Sequence, residues 1–205
     1  MNQTTSFLAI IGAISLGAIS PGPSFFYIAQ LAANRRSFAL QATIGMAIGG
    51  ALYGFLAIWG VAKVISTTPL AMNALRVIGG MFLVYLCLTL WRAADQMPED
   101  SPSAASKTKP FIRGLITQVS NPKTMIIYVS VYGALLPEEP ASWLYYALPA
   151  AMFAIEALWY TFVSLALSTA SSRRLYLRSK KWFDRAAGAV LGLIGVSFVA
   201  GIWVK

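Results

Sequence analysis

Two ionisable side chains stand where an apolar chain should carry none. Glu156 is at the midpoint of an otherwise uncharged stretch from about Trp143 to Thr169, and Lys123 lies about ten residues into an apolar segment that opens near Phe111. An ionised carboxylate at the centre of a membrane helix costs at least about 2.5 kcal/mol, so Glu156 must be protonated, paired or facing water. A carboxyl whose surroundings alternate can take up and release a proton, which is what proton coupling requires. An interhelical hydrogen bond or ion pair is the structural alternative. Lys123 can pair with Glu156, bind a substrate carboxylate, or reach back to the polar edge of the membrane.

Two short motifs interrupt apolar helical sequence. Ser20-Pro21-Gly22-Pro23 removes two N–H donors and loosens the backbone at Gly22, so a helix should stop there and restart near Pro23. Asn121-Pro122 offers an N-cap followed by proline at the first helical position, and Lys123 comes next. Each restart exposes N–H groups and the positive end of a helix dipole, a seat for an anion such as a carboxylate. A plain proline kink is the bland alternative for either motif alone. Tyr27, Tyr128, Trp159 and Tyr160 lie at similar depth and are candidates to line a cavity there, with core packing as their alternative role.

The elements that must position these groups are membrane helices. Of 205 residues, 58% are hydrophobic and only 11% charged, where a soluble domain carries roughly 25%. Residues 1–34, 37–62 and 186–204 hold no charge, and about 20 helical residues cross a bilayer. Six apolar segments are expected to span: about 6–33, 38–62, 70–91, 111–136, 143–169 and 186–204. The third has only 77–91 free of charge, with Arg76 at its edge. The N-terminal stretch lacks a basic n-region and reads as a retained first helix rather than a signal peptide. A polar linker over Ala93–Pro110 separates two halves of one transmembrane domain, about 6–91 and 111–204.

Charge placement sets an orientation. Arg35 and Arg36, then Arg92, Lys107, Lys109 and Arg113, then the six basic residues between Arg173 and Arg185 all fall on one side, against Lys63, Arg76 and Lys205 on the other. The positive-inside rule puts both termini outside. The basic run 173–185 is explained by anionic lipid headgroups, and no aromatic-interleaved nucleic-acid fold accompanies it. The halves also resemble each other: Ile19–Pro23 matches Val119–Lys123, and Arg76–Gly80 matches Arg185–Ala189. Three helices per half force the second copy to cross inverted. Inverted repeats with broken helices are typical of secondary transporters, whose site lies at the repeat interface near the midplane. The expected fold is an all-α integral membrane protein of six helices in two inverted three-helix repeats, with helices 1 and 4 broken.

The chain contains no His and one Cys, Cys87, inside an apolar run. That excludes imidazole chemistry, disulfides and soft-ligand metal clusters, and makes Cys87 a packing residue. An intramembrane enzyme would have to rely on a serine–lysine pair through Lys123. A metal or cation exporter would want several carboxylates, His or Cys in the membrane, and a membrane scaffold without transport is the remaining rival. Gly45-xxx-Gly49, Gly50-xxx-Gly54 and Gly188-xxx-Gly192 read as close helix contacts, with a sliding surface for transport motion as the alternative. Trp143, Tyr145 and Tyr146 at one end, and Trp91 at the other, read as interfacial anchors.

Taken together, the Ser20-Pro21-Gly22-Pro23 break, the helix 2 glycines, Arg76 with Gly79-Gly80, and Val119-Ser120-Asn121-Pro122-Lys123 after a polar linker resemble the lysine and homoserine/threonine exporter (LysE/RhtB) family. The resemblance covers essentially the whole chain. It implies proton-driven efflux of amino acids or their derivatives across a bacterial inner membrane, with no cofactor and no metal. It also supports Glu156 as the coupling carboxylate, since the family has an acidic position in helix 5. One departure is Asn34-Arg35-Arg36-Ser37-Phe38, where family members often have a glycine after the basic residue. Helix 2 has no acidic residue in its apolar core, which favours neutral substrates over dibasic ones. The expected substrate-binding residues are Ser20, Pro21, Gly22, Pro23, Asn121, Pro122, Lys123 and Tyr160, with Glu156 for the proton. Expected partners are a small-molecule substrate, protons and the lipid bilayer, without nucleic acid; a homodimer is left open.

Overall fold

A computed structural model describes residues 2–20, 22–65, 69–94 and 109–201, with the side chains of 65, 69, 71, 72, 75, 76, 93, 170–177, 180 and 183 excepted. Pro21, most of the linker, and Lys205 lie outside the described residues, as do the side chains of Arg76, Arg173, Arg174 and Lys180. All described secondary structure is helical: α1 Gln3–Ile19, α2 Pro23–Asn34, α3 Arg36–Ile65, α4 Pro69–Ala93, α5 Pro110–Val119, α6 Pro122–Leu135, α7 Leu144–Ala166 and α8 Ala170–Gly201.

Helix ends fall where the backbone chemistry demands. α1 starts on Asn2, whose side chain accepts from the Thr5 N–H at 2.7 Å. It stops at Ser20, and α2 restarts with Gly22 as cap and Pro23 first. α5 stops at Ser120, and α6 restarts with Asn121 as cap and Pro122 first. α8 is longer than the expected 186–204. The basic stretch before it continues the same helix, because no Gly or Pro interrupts the sequence between Ala170 and Ala187.

Three described helices are long and apolar enough to cross a bilayer: Arg36–Val64, Leu144–Ala166 and Asp184–Gly201. α1 and α2 pass the same test only as a bent pair, and the apolar part of α4 is the shorter Val77–Arg92. The surface agrees. Leu56, Leu158 and Leu193 are each more than half exposed in the middle of their helices, a pattern that suits lipid and not water.

The frame rests on glycine contacts. α3 carries its two Gly-xxx-Gly motifs to different neighbours: Gly45 and Gly49 abut Phe111 and Gln118 of α5, while Gly50 and Gly54 abut Glu156 and Met152 of α7. Gly114 of α5 returns the contact against the Ala42 carbonyl, so α3 and α5 touch backbone to backbone. Gly188 and Gly192 of α8 lie on Trp91 and Cys87 of α4, and Gly80 meets Gly195. All three motifs and Cys87 thus lie at close helix contacts. One end of the bundle is joined by Gln3, whose amide donates to the Glu139 carbonyl at 2.9 Å and accepts from the Ala141 N–H at 3.1 Å. At the other end the Trp91 indole donates to the Arg185 carbonyl at 3.1 Å.

Candidate functional site

The restarts of α2 and α6 meet. Asn121 accepts from the Lys123 backbone N–H at 3.0 Å, capping α6, and turns its Nδ2 to donate to Ser24 Oγ at 2.8 Å in the first turn of α2. Ser24 donates onward to Gln118 Oε1 at 2.6 Å, and Gln118 Nε2 donates to Glu156 Oε1 at 2.8 Å. The Tyr128 hydroxyl donates to the same carboxylate oxygen at 3.3 Å. A continuous chain of side chains thus connects both helix restarts to the acid of α7. Every member is buried: Gln118 is 0% exposed and Glu156 is 3% exposed. Glu156 Oε2 is buried without a hydrogen-bond partner among the described residues.

Lys123 makes a hydrogen bond that the sequence reading does not name. Its Nζ donates to the backbone carbonyl of Ser20 at 2.9 Å, at the C-terminal end of α1, where unpaired carbonyls and the negative dipole end favour a cation. Gly22 leaves space for that stem, since a Cβ there would lie 3.2 Å from Lys123 Cδ. The Ser20 hydroxyl donates to Asp184 Oδ1 of α8 at 3.3 Å, and both side chains are buried.

Ser20, Gly22, Ser24, Asn121, Lys123, Tyr128 and Glu156 line one cavity of about 20 Å³, together with Ile14, Gly17, Thr124, Ile127 and Tyr160. That is space for about one water. Of the expected residues, Ser20, Gly22, Asn121, Lys123, Tyr160 and Glu156 line it. Pro23 and Pro122 open their helices with exposed side chains and do not. Pro21 lies outside the described residues. Among the four deep aromatics, Tyr128 and Tyr160 line the cavity, whereas Tyr27 lies under the Arg113 guanidinium and Trp159 stacks on Phe162.

Sequence reasoning misses Ser24, Gln118 and Asp184. Ser24 and Gln118 carry a usable signal, as polar residues within one turn of each break in apolar sequence. Asp184 is hidden by its basic neighbours, which make it look like part of a solvated face.

An apolar helical bundle with a buried, charge-bearing cavity between two helix restarts has the construction of a membrane translocator. The comparison with known proteins agrees: a family model described as LysE type translocator matches residues 15–201, and the chain belongs to that family, which is one of transporters and not of enzymes. It is similar to the threonine efflux protein of Escherichia coli K12, 26% identical over 94% of this chain and 97% of that protein. It is also similar to the leucine efflux protein of Klebsiella pneumoniae, 26% identical over 93% of this chain and 91% of that protein. An uncharacterized membrane protein of E. coli K12 is 29% identical over 92% of this chain and 86% of its own length. No solved structure matches.

Proposed function

We propose that this protein exports amino acids or their derivatives from the cytoplasm across the bacterial inner membrane, by exchange against protons and with neutral substrates favoured. The observation that carries the reading is the hydrogen-bonded chain Asn121–Ser24–Gln118–Glu156. It ties two helix restarts, each suited to a carboxylate, to one buried acid suited to a proton. The relatives named for threonine and leucine efflux support the substrate class. The absence of an acidic residue from the apolar body of α3 supports the neutral preference.

In this reading α1 with α2, and α5 with α6, are two broken spans at matching places in inverted three-helix repeats joined by the linker 93–110. Both termini face outward. Substrate sits between the two breaks on Ser20, Pro21, Gly22, Pro23, Asn121, Pro122, Lys123 and Tyr160, while Glu156 carries the proton. Because the cavity admits little more than water, loading requires the half-helices to part. The rival metal exporter gains no support, since among the described residues no three His, Cys, Asp or Glu side chains come together.

The test is export from cells lacking their own exporters, loaded with a panel of amino acids, followed by flux in vesicles with an imposed pH gradient. Export of at least one neutral amino acid, accelerated by an inward proton gradient, is expected. A protein that moves none of the panel is not this transporter.

A further inference from the structure

Glu156 has one carboxylate oxygen in use and one idle. Oε1 accepts from Gln118 and from Tyr128, whereas Oε2 is buried and has no hydrogen-bond partner among the described residues. Buried carboxylate oxygens are rarely left so, and Glu156 lines a cavity that is also lined by Lys123 and by residues at the starts of α2 and α6. Resting on the coupling role proposed above for Glu156, we propose that Oε2 is the seat of the ammonium group of a zwitterionic amino acid, so that substrate and proton compete for a single oxygen.

The residues that line the cavity include partners for both charges of such a ligand. An ammonium brings three donors and a positive charge to an oxygen that lacks a donor. The carboxylate finds helix N-termini and Lys123. Gln118 and Tyr128 fix the carboxyl plane through Oε1, and Gly50 of α3 holds the stem, since a Cβ there would lie 2.6 Å from Glu156 Cγ. Of the two occupants that satisfy Oε2, a proton needs no added room, while an amino acid needs the cavity opened.

The charged and titratable groups around Glu156 are few. α6 presents Lys123 and Tyr128, with Tyr132 stacked behind, and α7 itself presents Tyr160. α1, α2, α3 and α5 bring Gly17 and Ser20, Ser24, Gly50 and Gln118, none of which titrates. Asp184 of α8 is one residue removed, on Ser20.

In the cycle, the ammonium leaves Oε2 toward the outside as an external proton forms an O–H bond there. That proton is later given up to the cytoplasm, and the next ammonium takes its place. One proton enters for each zwitterion exported.

The measurement is exchange of labelled L-leucine and L-threonine by the reconstituted full-length protein, at a series of pH values equal on both sides of the vesicle. Each amino acid is paired with its 2-hydroxy acid, in which a hydroxyl replaces the ammonium. Competition requires the amino-acid KM to rise as pH falls, by up to about tenfold per unit, with the maximal rate retained. The KM of the hydroxy acids should not rise. Glu156→Gln should raise the amino-acid KM by roughly ten- to a hundredfold, make it insensitive to pH, and leave the hydroxy acids unchanged. Lys123→Met should keep the pH slope. A wild-type KM independent of pH overturns the shared seat, as does a Glu156→Gln protein that has lost gradient-driven export but exchanges amino acids at the wild-type KM; coupling through Glu156 survives both results. Full gradient-driven export by Glu156→Gln overturns the coupling reading itself, and exchange of neither amino acid by the wild type overturns the proposed function and this seat together. Should Glu156→Gln not reach the membrane, the wild-type pH series with the hydroxy acids decides alone.

Discussion

The Lys123 ammonium and the Ser20 carbonyl meet at 2.9 Å, so a cation from the first turn of α6 closes the last turn of α1. A charge-assisted bond to a helix C-terminus contributes about 1.5–3 kcal/mol when partly buried. Lys123→Met keeps the stem and removes the charge, and a lower melting temperature of the purified protein is expected. Because the hydrogen-bond partner of Lys123 is a backbone carbonyl, combining Lys123→Met with Glu156→Gln should not restore the function lost in either. Recovery of export in the double variant would assign Lys123 to Glu156 instead.

The helix breaks should matter more for export than for folding. Asn121→Ala removes both the α6 cap and the bond to Ser24, at a cost of about 1–2 kcal/mol to folding. Pro21→Ala and Pro23→Ala allow α1 and α2 to join. Membrane abundance close to wild type with strongly reduced export is the expected outcome for all three, read by immunoblot and by efflux. Undiminished export at normal abundance would reduce the breaks to kinks.

Coupling has its own signature. Glu156→Gln retains shape and one polar group but abolishes titration, so export driven by an imposed pH gradient should be lost while the protein still inserts. Exchange down a substrate gradient should persist at saturating substrate, although at a raised KM, because it needs no net proton movement. Glu156→Asp retains the carboxyl one methylene shorter and should show partial gradient-driven activity.

Orientation is checked by labelling from outside in a Cys87→Ala background. Gln3 fastens the start of α1 to the 137–141 turn, so these two segments share one end of the bundle. A cysteine at Glu139 should react with an impermeant reagent, and one at Ser103 should not. The reverse pattern would place the termini in the cytoplasm.

Close backbone contact makes the α3–α5 crossing intolerant of a single methyl group. A Cβ at Gly45 would overlap the Phe111 carbonyl, and one at Gly114 would overlap the Ala42 carbonyl. Gly45→Ala and Gly114→Ala should each destabilise by about 1–3 kcal/mol, seen as reduced abundance and melting temperature. Gly12→Ala and Gly60→Ala meet no neighbouring atom and should be silent by the same measure.

Much of the helical frame and part of the site are legible in the sequence, for identifiable reasons. A proline removes an N–H wherever it stands, so the break between α1 and α2 and that between α5 and α6 are marked by Pro23 and Pro122. An acid in an apolar stretch is conspicuous for the same reason that it is costly, which is why Glu156 stands out. The partners of those groups are not legible. Gln118 and Ser24 are neutral polar residues whose meeting depends on how α2 and α5 cross α3, a tertiary fact. Lys123 admits three readings, and the carbonyl it serves carries no side-chain signature at all. The helical start of α8 escapes notice because a basic run resembles a connection, although nothing in it breaks a helix.

Splitting the glycine contacts of α3 between two neighbours has a consequence for how mutations combine. Gly45 and Gly54 lie about 13 Å apart along the helix at 1.5 Å per residue, and they touch α5 and α7 respectively. Perturbations at such separated, unshared contacts add, usually to within about half a kcal/mol. Gly49 and Gly50 are adjacent in sequence yet abut Gln118 and Glu156, which share a hydrogen bond. Two alanines there displace the two ends of one bond, and their effects should be strongly non-additive. The same helix therefore supplies both an additive control and a thermodynamic reading of the bond between Gln118 and Glu156.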